Sequence, residues 1–453
     1  MTILLTLLAC DPSTPELDPE PFSITLPSGG CGLDPYPWVA PDRLGEIVSV
    51  EYLPDASFSA ETLDFLLIAA GLDVLTPVSN GTQVYRVRYL TQDRGELIEA
   101  TSLMAFPDTT SAQEYPTLLW VRPTVGFSDA CALSGRGFEE QLGQTLLASH
   151  GFAVVAPDLL GMNGTGDPST FLHPYIVPEP TAVAALDAIR AMWSLADSEP
   201  DILAEPTTET VLWGASEGGF GAIWADRYGT GYLPELDIRA VVASVPPTDL
   251  LTLSAEALTT YTDATVGFVA VLTTGHDWYR SDMPLADVLT DEDPSFLASS
   301  VELFLEATCD EEPLPDPTDG ATAVSDLFLP GFIDAVLNED WSGFEDARCA
   351  SERATLTSTQ IPRGSDAPVL YQVSENDELV LGYVGRAHAP RLCDAGYVLE
   401  YLECAGADHE TGAGLSLPYQ LEWVKERLAG VPLDDPCVIS EPIDCEQFGV
   451  VIP

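Results

Sequence analysis

From residue 117 onward, short continuous apolar runs alternate with stretches of helical periodicity. The runs are TLLWVRP (117–123), GFAVVAPDLLG (151–161), ETVLWGAS (209–216), IRAVVASVPPTDL (238–250), APVLYQVSEND (367–377) and YVLEYLECAGADH (397–409). Between them lie FEEQLGQTLLASH (138–150), EPTAVAALDAIRAMWSLA (179–196), EGGFGAIWADRY (217–228) and LSLPYQLEWVKERLAG (415–430), each with apolar residues at helical spacing. Strands buried on both faces read as unbroken Val, Ile and Leu, and their alternation with helices implies parallel strands joined by right-handed crossovers. The pattern predicts an α/β fold with a doubly wound, mostly parallel sheet. Upstream, AETLDFLLIAAGL (60–72) predicts a short helix, and QVYRVRYLTQDRGELIEATSLMAFP (83–107) splits at Asp-Arg-Gly into two alternating halves, a β-hairpin signature.

The alternation stops between about 250 and 365, where Pro- and Asp-rich turns interrupt apolar helical pieces such as TVGFVAVLTT and DLFLPGFIDAVL. An insertion of that length between two strands is too long for a plain loop and predicts a mostly helical cap over residues 251–365. The core is then 31–250 with 366–453.

Composition changes the picture in two ways. Seventeen Lys and Arg against 72 Asp and Glu give a formal net charge of −55, and Lys425 is the only lysine. Such a chain has no surface able to neutralise phosphates, which excludes nucleic acid as a partner. It does suit an exported protein, from salty surroundings or from a genome of biased composition. The N-terminus agrees: MTILLTLLAC (1–10) is apolar up to Cys10, and DPSTPELDPEPF begins a Pro-rich, acidic tether over 11–30. Residues 1–10 read as an export signal. Leu-Leu-Ala-Cys resembles a bacterial lipoprotein cleavage box, so Cys10 would carry a lipid anchor at the cell surface or outer membrane; simple secretion is the alternative.

Nine cysteines contain no Cys-x-x-Cys pair and no His at zinc spacing. With Cys10 set aside, eight remain, enough for four disulfides whose pairing the sequence leaves open.

Candidate chemistry centres on VLWGASEGG (211–219). A buried strand that ends in Gly-x-Ser-x-Gly and feeds into a helix is the setting of a nucleophile elbow, with Gly214 and Gly218 clearing the sharp turn for Ser216. A serine hydroxyl needs a base and an orienting carboxylate, expected in the order Ser, Asp or Glu, His. Downstream histidines are His276, His388 and His409. The first lies inside the cap and the second in a helix, so both read as surface or packing residues. His409 follows the last strand, where the base belongs. The turn after VLYQVS offers Glu375, Asp377 and Glu378, of which Asp377 has the usual place. An oxyanion requires two backbone donors, one expected from the amide of Glu217. The other must come from Thr124, Val125 or Gly126, because Pro123 has no N–H. Asp158, at a strand end, reads as a structural turn residue.

Several of these segments resemble the secretory lipase family, the lipase A type of α/β-hydrolase. LLWVRPTVGFSDACALS (118–134) is similar to its His-Gly-Thr-x-Gly and Cys-Ala-Pro-Ser segment, and HPYIVPEPTAVAALDAIRAM (173–192) to its His-Pro-Tyr region and long helix. GASEGGFGAIWADRYGTGYLPELDIRAVVASVPPTDL (214–250) resembles its elbow, and LEWVKERLAGVPLDDPC (421–437) its closing helix and cysteine. The resemblance implies hydrolysis of carboxylic esters with the acyl chain in a tunnel under the cap, no metal or organic cofactor, and a triad on Ser216, Asp377 and His409. It also implies that Cys131 bridges toward the cap and Cys393 toward the C-terminal tail.

Two departures stand out: Arg122-Pro123 replaces the family's His-Gly, and Glu217 replaces Gln or Gly after the nucleophile. An acidic side chain there must turn away or be paired, with Arg122 as the candidate partner. The expected protein is a monomeric serine ester hydrolase acting on lipid or other ester substrates. The alternatives are an acyltransferase or short-chain esterase, and a catalytically impaired binding protein of the same fold.

Overall fold

The computed structural model describes residues 36–137, 142–279, 281–290, 320–359 and 361–450, together with positions 305, 309 and 318. The expected export signal, Cys10 and the tether lie outside these residues.

The hydrophobic runs form a nine-stranded sheet. Its strands are β1 (Ile47–Tyr52), β2 (Gly81–Asp93), β3 (Glu96–Asp108), β4 (Gln113–Val121), β5 (Ala153–Pro157), β6 (Ala204–Ala215), β7 (Asp237–Ser244), β8 (Val369–Ser374) and β9 (Leu399–Cys404). Their spatial order is β1-β2-β3-β5-β4-β6-β7-β8-β9. The first three strands pair antiparallel, β3 meets β5 antiparallel, and every pair from β5 to β9 is parallel. The hairpin expected at Asp-Arg-Gly joins β2 to β3 through Arg94 and Gly95, both with positive φ (48° and 83°). A two-residue loop of that kind matches the right-handed twist of the strands it connects.

Helices α1 (Ala60–Ala69), α2 (Leu142–Ser149), α3 (Pro178–Ser198) and α4 (Glu217–Tyr232) cover the sheet. Buried apolar side chains divide into two clusters, one on each sheet face: Leu212, Val241 and Tyr371 belong to one, Val211, Val242 and Leu370 to the other. Successive strand residues thus enter opposite cores, which is why the central strands show no polar alternation.

Between β7 and β8 the described residues form α5 (Leu250–Ala257), α6 (Asp263–Tyr279), α7 (Pro330–Leu337) and α8 (Glu345–Ala354). Phe268 of α6 stacks on Phe332 of α7, and Phe328 packs on both rings. After β8 come α9 (Gly382–Asp394), then, beyond β9, α10 (His409–Leu415) and α11 (Leu417–Leu428). Among the described residues, no helix is long and apolar enough to cross a membrane.

Three disulfides have both halves in the described residues: Cys131–Cys309, Cys393–Cys437 and Cys404–Cys445. Cys349 is also disulfide-bonded. The first two run in the directions implied by the family resemblance; the third pins the tail to the last strand.

Candidate active site

Parallel register brings the ends of β4, β6, β7 and β8 level, with Val121 opposite Gly214, Ala215 opposite Ser244, and Ser244 opposite Gln372. Turns leaving this carboxyl edge carry the expected residues: Ser216 follows β6, Asp377 follows β8, and His409 follows β9. A crevice at the carboxyl ends of parallel strands is where open α/β sheets bind ligands.

Ser216 sits at φ 55°, ψ −122°, between strand and helix. A non-glycine residue there is strained by about 1–3 kcal/mol. Its N–H donates to Ser244 O (2.8 Å) and its carbonyl accepts from Phe220 N–H (3.0 Å), so strand and helix hold the strain from both sides. The two motif glycines are sterically required. A Cβ on Gly214 would lie 2.0 Å from Gly218 O, and one on Gly218 would lie 2.0 Å from Val121 O.

Asp377 Oδ1 accepts the N–H groups of Leu379 (3.0 Å) and Val380 (2.7 Å), which fixes the carboxylate plane. Its Oδ2 lies 2.7 Å from His409 Nδ1, and His409 Nε2 lies 2.8 Å from Ser216 Oγ. Because the carboxylate accepts, Nδ1 carries the hydrogen and Nε2 is left as the acceptor facing the serine hydroxyl. All three residues are less than a tenth exposed. The other two acids of the turn, Glu375 and Glu378, are exposed. His409 lies on no open loop: it is the first residue of α10, whose N-terminus is capped by Asp408 Oδ1 accepting from Thr411 N–H (2.9 Å).

His388 and His276 lie elsewhere. The His388 ring is fully buried between the Thr248 hydroxyl (2.9 Å) and the Thr357 hydroxyl (3.1 Å), and burial pushes its pKa down to about 4. His276, on α6, lines an apolar cavity. Asp158 is buried, where it accepts from the Thr101 hydroxyl (2.6 Å) and Ser134 N–H (3.0 Å).

The oxyanion candidates lie on two walls. Glu217 opens α4, so its amide belongs to the first turn, where no carbonyl of the helix itself can take it. Across from it, the Thr124 hydroxyl donates to the Tyr175 hydroxyl (3.0 Å). Val125 O lies 3.2 Å from Cys309 Sγ. Gly126 has φ 124°, and a Cβ there would lie 2.1 Å from Cys131 Sγ, so this loop packs directly on the disulfide. The expected pairing of Glu217 with Arg122 is corrected. Arg122 is buried and acts electrostatically on Asp158, whereas Glu217 Oε1 meets His173 Nε2. His173 came only as part of the His-Pro-Tyr resemblance, with no role attached.

Two apolar pockets lie along the cap side of the site, and one of them reaches the serine. One includes Ser216, Leu253 and Leu379 in its wall. The other runs on past Gly275 to Ser281 and Asp346. They share Tyr175, Ile176, Leu250, Phe268 and Val271, and so adjoin along one wall. Among the described residues, no group of three or more His, Cys, Asp or Glu is arranged to hold a metal.

Solved structures share this fold at low sequence identity. The rice cell wall degrading esterase LipA from Xanthomonas oryzae is 20% identical over 84% of this chain and 96% of its own, with a TM-score of 0.67. A putative hydrolase from Legionella pneumophila is 19% identical over 86% and 100%, with a TM-score of 0.71. Lipase A of Candida antarctica is 15% identical over 90% and 89%, with a TM-score of 0.62. No curated protein matches the chain. Residues 136–277 match the secretory lipase family. The matched segment contains α2, β5, α3, β6, the elbow, α4, β7, α5 and most of α6. The match, together with the α/β-hydrolase type of fold, supports a carboxylic ester hydrolase.

Proposed function

We propose that the chain hydrolyses carboxylic esters through an acyl-enzyme on Ser216. His409 takes the hydroxyl proton as Oγ attacks the ester carbonyl, and Asp377 holds the Nδ1–H tautomer and stabilises the imidazolium. The tetrahedral oxyanion is met by the amide of Glu217 and one from Thr124, Val125 or Gly126. Collapse returns the proton from His409 to the leaving alcohol, and a water activated by the same imidazole releases the acid. The observation that carries this reading is the buried chain of hydrogen bonds from Ser216 Oγ through His409 to Asp377.

The substrate is an ester whose acyl chain lies in the adjoining apolar cavities, under a cap of residues 251–365 set on the core of 31–250 and 366–453. The family match and the Leu-Leu-Ala-Cys box together support export, with Cys10 as a lipid anchor.

A series of p-nitrophenyl esters of increasing acyl length tests this. Wild type is expected to hydrolyse them and Ser216→Ala to be inactive. In Gly275→Leu the new side chain enters the far cavity, since a Cβ at Gly275 meets nothing closer than Tyr279 Cδ2 at 3.9 Å. It is expected to lower kcat/KM at least about tenfold for the longest chains while sparing the shortest. Hydrolysis by Ser216→Ala at the wild-type rate would overturn the serine; an unchanged length profile in Gly275→Leu would overturn the acyl tunnel.

A further inference from the structure

An acidic residue directly after the nucleophile is a problem for the chemistry proposed above, because a carboxylate beside a developing oxyanion raises its energy. The side-chain contacts of Glu217 resolve it. His173 Nδ1 lies 2.8 Å from Leu160 O, a carbonyl that can only accept, so Nδ1 carries a hydrogen. The other ring nitrogen, Nε2, faces Glu217 Oε1 at 2.5 Å. A neutral imidazole with its hydrogen on Nδ1 presents a lone pair at Nε2, and a carboxylate presents another. Two lone pairs at that separation repel, so the contact holds only with a proton between them. Whether that proton sits on nitrogen or oxygen, the pair carries no net charge. The side chains are 0% and 2% exposed, so water cannot stand in for either partner.

The segment bearing His173 also touches the opposite wall. His173 N–H donates to Phe127 O (2.8 Å), the Tyr175 hydroxyl accepts from Thr124 (3.0 Å), and the Tyr175 and Phe127 rings meet edge to face. Tyr175 N–H in turn donates to the Thr274 hydroxyl of α6 (3.1 Å). One short stretch, 173–175, therefore holds the Glu217 side chain, the 124–127 loop and a helix of the insertion.

We propose that His173 is a positioning residue. It shares one proton with Glu217, keeps the site beside the nucleophile neutral, and fixes the Glu217 amide and the 124–127 loop relative to each other. This rests on the reading of Ser216 as the nucleophile.

A double-mutant cycle of His173→Ala and Glu217→Gln, each with and without Ser216→Ala, tests it. With Glu217 present, His173→Ala leaves a buried carboxyl without its partner and is expected to lower kcat about 100-fold with little change in KM, comparable to losing an oxyanion donor. In the Glu217→Gln background the same substitution leaves no charge, and its cost is expected to fall below about tenfold.

A role in packing alone predicts the same loss in both backgrounds, and that result would overturn the proposal. So would wild-type kcat in His173→Ala. Should His173→Ala fail to fold, His173→Gln carries the same cycle, because its amide still donates to Glu217 but brings no shared proton. Activity surviving Ser216→Ala would instead overturn the underlying reading, and inactive Ser216→Ala with an additive cycle would overturn the shared proton alone.

Discussion

Asp377→Asn is expected to lower kcat by about 10⁴-fold while the protein stays folded. The reason lies in how the carboxylate is held. Its Oδ1 accepts two backbone N–H groups, from Leu379 and Val380, so an asparagine must turn its carbonyl oxygen that way. The NH₂ group then faces His409 Nδ1. A donor facing Nδ1 makes that nitrogen the acceptor and moves the ring hydrogen to Nε2, toward Ser216 Oγ. The imidazole can no longer take the serine proton. Steady-state kinetics on a p-nitrophenyl ester, with the thermal midpoint as a control for folding, read this directly. A loss smaller than about tenfold would remove Asp377 from the orienting role.

Gly218→Ala is expected to destabilise the fold by about 3 kcal/mol or more, the upper range for forcing atoms into a packed site. The added methyl would stand 2.0 Å from Val121 O and 2.7 Å from Arg122 O, both backbone atoms that cannot swing aside. Relief requires moving the elbow away from the end of β4, and with it Ser216. Gly331→Ala on α7 is the control. A Cβ there meets nothing within 4 Å, so a change within about 1 kcal/mol is expected. Urea unfolding of both variants checks the contrast, and equal midpoints would show that Gly218 is not sterically required.

The parts of the fold read most directly from sequence were those governed by local rules. Central strands are unbroken apolar runs because both of their faces are buried, and the β2–β3 hairpin announces itself through Arg94-Gly95 at positive φ. Gly214 and Gly218 were legible because a tight turn admits no side chain. The capping pair Asp408 and Thr411, which makes His409 the start of a helix, carries a local signal that the small-residue reading of that loop passed over.

What the sequence left open depends on contacts between distant elements. His173 and Glu217 are 44 positions apart and meet only because the segment after β5 passes over the elbow. Arg122 directly follows β4, whose last residue Val121 pairs with Gly214 beside the elbow, yet it acts electrostatically on Asp158 while Glu217 meets His173. Cysteine pairing is of the same kind: Cys404 and Cys445 join because the tail returns alongside β9, where Ile443 N–H bonds to Glu403 O (2.9 Å). No periodicity encodes such a return.

The central claim is that Ser216 is an activated nucleophile. A fluorophosphonate probe, which reacts with an activated serine by forming a P–O bond and expelling fluoride, tests it most directly when the adduct is located by mass spectrometry. One adduct on Ser216 is expected in the wild-type protein and none in Ser216→Ala. A folded wild type that takes up no probe, or a Ser216→Ala variant labelled as strongly as its parent, would contradict it.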